Sequence, residues 1–199
     1  EIDYAQVGRT RGDQLVFIRF ENPAAGIWTL YVNPSTTITG QFHIWLPMTG
    51  MLERDVVFLR SDPDVTLTVP SSAEIPIGVG GMDQKSGILY LNSGRGYTIT
   101  SVVKPDFVAP AVGVQAVGRL GNYVTLTGTS AASAIAAGAC AQIMEWGNSP
   151  GRRLLLNSVQ IGNILIRGCE RNPDVSYPNT AWGYGKMNVY DALMKFYGV

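Results

Sequence analysis

The chain has 199 residues, 46% of them hydrophobic and only 15% charged, which builds a buried core and excludes intrinsic disorder. Its 15 basic and 15 acidic residues cancel, with no basic run, so neither nucleic acid nor an anionic membrane surface is expected as a partner. The longest apolar run, near Ala131 to Trp146, contains Ser133, Gln142 and Glu145 and falls short of the ~18 residues of a membrane span.

The start, Glu1-Ile2-Asp3-Tyr4, has no initiator Met and no apolar signal segment, and reads as the product of processing or truncation. Arg11-Gly12-Asp13 reads as a β-turn before a strand, not as an adhesion motif. Short strands are expected at Gln14 to Phe20, Gly26 to Val32, Thr39 to Leu46, Asp55 to Leu59 and Val65 to Val69. Asn22-Pro23-Ala24-Ala25-Gly26 and Asn33-Pro34-Ser35 separate them. The proline in Asn33-Pro34-Ser35 also removes it as a glycosylation site. This is β-sandwich patterning over residues 1–67.

The only histidine, His43, falls in one of these strands. Alternation puts Phe42, Ile44 and Leu46 on one face and Gln41, His43 and Trp45 on the other, so His43 is read as structural. Trp28, Trp45 and Tyr31 read as sandwich core, not as a carbohydrate platform.

From Thr68 the pattern becomes α/β. Ile77-Gly78-Val79 reads as a short buried parallel strand. Ser93-Gly94-Arg95-Gly96-Tyr97 lacks the Lys-Ser/Thr ending of a phosphate loop and reads as a turn. Further strands are expected at Val112 to Val117 and Tyr123 to Thr127. Helices are expected at Ser130 to Trp146, at Arg152 to Gly168 with Leu155, Val159 and Ile166 as an apolar stripe, and at Val189 to Tyr197 with Asn188 as cap. Cys140 and Cys169 have neither metal-site nor redox spacing, and a thiol in the small-residue helix reads as buried.

Most chemistry is concentrated in Gly128-Thr129-Ser130-Ala131-Ala132-Ser133-Ala134. A strand stops at glycine, and a run of very small residues follows. Gly128 leaves room for a substrate backbone to pass, and Thr129 or Ser130 is expected to cap the helix. The first amides of that helix, at the positive end of its dipole, suit the oxyanion of an acyl-transfer intermediate above Ser130.

Three flanking segments give this turn its context: Lys104-Pro105-Asp106-Phe107-Val108-Ala109-Pro110 upstream, then Met144-Glu145-Trp146-Gly147 and Tyr177-Pro178-Asn179-Thr180-Ala181-Trp182-Gly183-Tyr184-Gly185 downstream. In this order they resemble the C-terminal part of a subtilisin-family serine protease, from about Thr68 to Val199. The last two runs resemble the clostridial-type subtilases that include spore-germination proteases. Ala134 and Ala111 stand where that family often has Pro and Gly.

The resemblance implies an α/β fold: the C-terminal half of a subtilisin-like domain over 68–199, preceded by part of a jelly-roll insertion over 1–67. It implies Ser130 as nucleophile, with Thr129 and Gly128 supporting the oxyanion and the substrate path. It also implies an acid, a base and an oxyanion asparagine on an N-terminal part of the same protease. Asp3, Asp13, Asp55, Asp62, Asp64 and Asp83 lack the family's acid setting, and His43 lacks its His-Gly-Thr context. The chain alone is therefore expected to be inactive, and the complete protein to cleave protein or peptide substrates outside the cytoplasm or at the spore. The alternative is a non-catalytic pseudoprotease or scaffold of the same family. The residues themselves call for no cofactor; calcium enters through the resemblance alone.

Overall fold

The computed structural model describes residues 2–5, 15–33, 42–47, 51–52 and 56–197. The chain divides into two compact units, 1–56 and 57–199.

In the first unit, β1 (Ile2–Ala5) pairs antiparallel with β2 (Leu15–Ile18), with Ile2 opposite Ile18 and Ala5 opposite Leu15. Beyond β2 the Phe20 and Trp28 rings meet edge to face at 5.3 Å, and the Trp28 indole donates to the Ala24 carbonyl at 3.0 Å. Only the first of the five strands expected from the sequence is present among the described residues. Residues 26–32, 42–46, 56–59 and 65–69 carry no strand. The physical reason is the lack of a ladder: a strand needs a hydrogen-bonded neighbour, and here Ile27 (78% exposed) and Tyr31 (82%) face solvent. His43 and Trp45 do lie on one side, their rings stacked at 5.4 Å, but on an exposed segment without a strand. The turn assigned to Arg11-Gly12-Asp13 lies outside the described residues, as do residues 34–41 of the expected strands and linkers.

The second unit is mixed α/β. Its centre is a parallel pair, β3 (Val79–Met82) and β4 (Phe107–Pro110), with Val79 opposite Phe107 and Met82 opposite Pro110. Strand β3 starts two residues later than expected, and β4 lies in the Lys-Pro-Asp run, where flanking prolines hide a strand signal. A hairpin follows, β5 (Val114–Val117) with β6 (Tyr123–Leu126); both strands were expected, β5 starting two residues later and β6 ending one residue earlier than read from the sequence. Residues 65–66 belong to this unit: the Thr66 amide donates to the Arg95 carbonyl and the Arg95 amide to Thr66 Oγ1, both at 2.9 Å. The turn at Ser93 to Tyr97 is thus tied down by backbone pairing.

Helix α1 (Thr129–Gly147) packs on β3 and β4 through Ala131, Ala132, Ala136, Ala139 and Ile143. Its other side, including Ser133, Ala134, Ala137, Gly138 and Ala141, is exposed. Helix α2 (Ser158–Gly168) starts six residues later than expected, because Asn157 caps it. The Asn157 side chain accepts from the Gln160 amide while the Gln160 side chain accepts from the Asn157 amide, each at 2.9 Å, a reciprocal box that fixes the first turn. Leu155 is therefore outside the helix and 94% exposed; the buried stripe is Ile161, Ile164 and Leu165. Helix α3 (Val189–Tyr197) is capped as expected, with Asn188 Oδ1 accepting from the Asp191 amide at 3.0 Å.

Phe107, Ala136, Ile143, Ile161, Leu165 and Cys169 form one core. Both cysteines are free thiols; Cys169 is buried and Cys140 partly so. Burial pushes the Cys169 thiol up to about 12, against the smaller opposing pull of Arg171 and Lys195. Below about pH 9 this thiol is protonated in both folded and unfolded chains and does not affect stability. Above that, the unfolded thiol ionises first, so Cys169 is expected to lower stability as pH rises from about 9 towards 12. Thiol labelling at pH 8 checks the same environment: Cys169 is expected to react only as fast as the core opens, and Cys140 sooner.

Candidate active site

Gly128 precedes α1 with φ 148° and ψ 160°, a region only glycine occupies without strain. Its amide donates to the Ala111 carbonyl at 2.7 Å, and the Ala111 amide donates to the Met82 carbonyl at 2.7 Å. The turn therefore hangs from the ends of β4 and β3 in succession. A Cβ on Gly128 would meet nothing within 4 Å, so the need for glycine is purely conformational. Gly128→Ala is expected to cost about 1–3 kcal/mol in urea unfolding. A neutral result would mean that the turn relaxes freely.

Helix α1 begins at Thr129, one residue earlier than expected, and Gly128 is its N-cap. Neither Thr129 nor Ser130 caps the helix; both lie inside its first turn. The extended backbone of Gly128 allows this by turning the chain sharply into the helix without a side-chain acceptor. Ser130 is exposed at that positive end of the dipole, and the Ala131 amide just after it donates back to the Gly128 carbonyl at 3.0 Å. Thr129 and Gly128 are half-buried beneath it.

Packing under the turn is tight. A Cβ on Gly81 of β3 would lie 2.7 Å from Ala111 Cβ and 3.3 Å from both Thr129 Cγ2 and Tyr90 Cδ1. Gly81 is bare so that Ala111 and the Thr129 methyl can sit against the strand. The Gly81 amide donates to Ser93 Oγ at 2.9 Å, and Ser93 is 6% exposed. Neither Gly81 nor Ser93 was singled out as functional by the sequence.

At the opposite ends of the strands, Lys104 (2% exposed) donates to Asp106 Oδ2 and to the Pro76 carbonyl, both at 2.6 Å. The Gly78 amide also donates to Asp106 Oδ2 at 2.6 Å. The Tyr177–Gly185 run closes over this region. Asn179 Oδ1 accepts from the Ala181 and Trp182 amides, and the Tyr184 amide reaches the Asp106 carbonyl at 2.8 Å. Two of the segments that carry the sequence resemblance thus serve the scaffold.

His43 belongs to the first unit, where its ring stacks on that of Trp45. Among the described residues no group of three or more His, Cys, Asp or Glu is gathered closely enough to hold a metal ion. An open hollow of about 540 Å³ lined by Asn148, Ser149, Pro150, Arg153 and Leu155 lies at the other end of α1, about 28 Å of helix away from Ser130. It is no part of the site. No helix among the described residues is long and apolar enough to cross a membrane.

Residues 59–185 match the profile of the Subtilase family, Peptidase_S8. Membrane-bound transcription factor site-1 protease of Mus musculus is 33% identical over 133 residues, which cover 64% of this chain and 12% of that protein. The human protein of the same name is 32% identical over the same length. The chain thus spans a small part of the curated relatives it matches. Among solved structures, the Clostridium perfringens CspB protease aligns with a TM-score of 0.67 at 29% identity, over 71% of this chain and 31% of that one. The prenylagaramide maturation protease PagA aligns with a TM-score of 0.55 at 25% identity, over 67% of this chain and 46% of that one.

These likenesses place the chain among the serine proteases, with a subtilisin-like α/β fold. More narrowly, it belongs to the subtilase family.

Proposed function

We propose that this chain carries the nucleophile of a subtilisin-like serine endopeptidase, Ser130. The observation that carries the reading is an exposed serine on the first turn of α1, after a glycine whose backbone only glycine adopts. In the complete enzyme Ser130 Oγ bonds to the scissile carbonyl carbon as a histidine of the N-terminal part takes its proton. An aspartate of that part orients the histidine. The oxyanion is held by the Ser130 amide, with Thr129 close by, and by an asparagine of the N-terminal part. The C–N bond then breaks, the histidine returns its proton to the leaving amine, and water releases the acyl group by the same steps in reverse. Gly128 gives the substrate backbone room to pass.

The exposed Ala/Gly side of α1 supports a second element of the reading: the N-terminal part of the same protease packs there and brings the acid and base to Ser130. Residues 1–67 are then part of a jelly-roll insertion whose last residues pair with the peptidase domain at Arg95, and 68–199 are the C-terminal part of that domain. The substrates are proteins or peptides. An extracytoplasmic or spore-associated setting follows from the resemblance in the Tyr177–Gly185 run.

A fluorophosphonate serine probe tests the reading. The intact polypeptide is expected to carry the adduct on Ser130, and this chain alone to remain unlabelled. Absence of an adduct in the intact polypeptide would favour the non-catalytic scaffold.

A further inference from the structure

We infer that Ser93 is a positioning residue for the Ser130 turn, acting through Gly81; this rests on the reading of Ser130 as the nucleophile. Gly81 is gripped on both sides of its peptide by one short segment. Its amide donates to Ser93 Oγ at 2.9 Å, and its carbonyl accepts from the Tyr90 amide at 2.9 Å. The Ser93 amide in turn donates to the Tyr90 carbonyl at 2.9 Å, which closes the segment on itself. Ser93 is one of the few polar residues buried in the second unit, and its hydroxyl also approaches the Gly94 carbonyl at 3.5 Å.

The grip matters because of what rests on Gly81. A Cβ there would lie 2.7 Å from Ala111 Cβ and 3.3 Å from Thr129 Cγ2. Ala111 accepts the Gly128 amide, and Thr129 is the residue before Ser130. Both flanks of the nucleophile turn therefore seat on the one stretch of β3 that Ser93 holds. The Gly81 amide points away from β4, and on this side the Ser93 hydroxyl is its acceptor, beside the short antiparallel bridge of Met82 with Leu89. Loss of that hydroxyl leaves a buried amide without its acceptor. The strand then shifts towards another acceptor and carries Thr129 with it. Displacements on the order of 1 Å in a reacting group are worth about 10²-fold in rate.

The test uses Ser93→Ala and Ser93→Thr in the intact polypeptide, with two readouts. The first is the fluorophosphonate reaction resolved into kinact and KI. Ser93→Ala is expected to lower kinact at least about tenfold with KI unchanged, and Ser93→Thr to restore it. The second is hydrogen exchange, expected to rise at residues 128–131 in Ser93→Ala and to stay unchanged in α2. Wild-type kinact in Ser93→Ala overturns the inference, as does an equal rise of exchange in α2, which marks general loosening. If the wild-type polypeptide does not label at all, the nucleophile reading has failed. The exchange arm then decides alone: a rise confined to residues 128–131 upholds Ser93 as the seat of the turn, and its absence overturns that role.

Discussion

Ser130→Ala in the intact protease is expected to lower kcat on the order of 10⁶-fold, the scale established for the nucleophile of subtilisin itself. The loss should fall on kcat and not on KM, because the hydroxyl oxygen is the atom that forms the new bond. Nothing else in the site should move. Ser130 is exposed, and alanine is a better helix former than serine, so the melting temperature should stay level or rise slightly. This pairing of a very large kinetic effect with no stability effect is what separates a nucleophile from a structural serine. A steady-state assay on a peptide substrate, run beside thermal unfolding of both proteins, reads the two quantities together. Normal turnover in Ser130→Ala would remove the serine from the chemistry. A matched fall in stability and rate would make it a helix residue with no special role.

The turn that bears Ser130 was legible because its constraint is local. Glycine followed by small residues says in one dimension what φ 148° and a tightly packed helix start say in three. Of the caps, Asn188 was readable from its own position, whereas at α1 the cap is Gly128 and not Thr129 or Ser130. Asn157 was overlooked because Leu154-Leu155-Leu156 drew the helix too early, and an apolar run does not reveal which of its residues face solvent. Strands fared worse in the first unit, since alternation records only which faces match and not whether a neighbouring strand exists to complete the ladder. Trp28 and Tyr31 have the residue types of a sandwich core and stand exposed. Ser93 and Gly81 were illegible for a different reason. Their contact joins residues 12 apart through one hydroxyl, and its value depends on Ala111 and Thr129 meeting the same glycine. No spacing rule encodes such a three-way meeting.

The largest stability effect is expected at the other end of the same strands. Lys104 and Asp106 form an ion pair at 2.6 Å with side chains 3% and 16% exposed, and both charges have further partners in the Pro76 carbonyl and the Gly78 amide. Burying the pair costs desolvation that the mutual attraction roughly offsets, so its presence adds little; its half-removal is severe. Lys104→Met leaves the partly buried Asp106 carboxylate with the Gly78 amide but without its counter-ion, and should cost up to about 3–5 kcal/mol in denaturant unfolding. Asp106→Asn strands the ammonium instead. The double variant should cost clearly less than the sum of the two, because neither charge then remains. This region fixes where β3 and β4 start and where the Tyr184 amide docks, whereas the nucleophile turn hangs from their far ends. Lys104→Met is therefore expected to lower the denaturant midpoint while leaving the probe reaction of the folded fraction at Ser130 unchanged. Strict additivity in the double variant would show that the two side chains act separately. A fall in kinact at full folding would show that strain crosses the strands, and the scaffold and the site would no longer be separable.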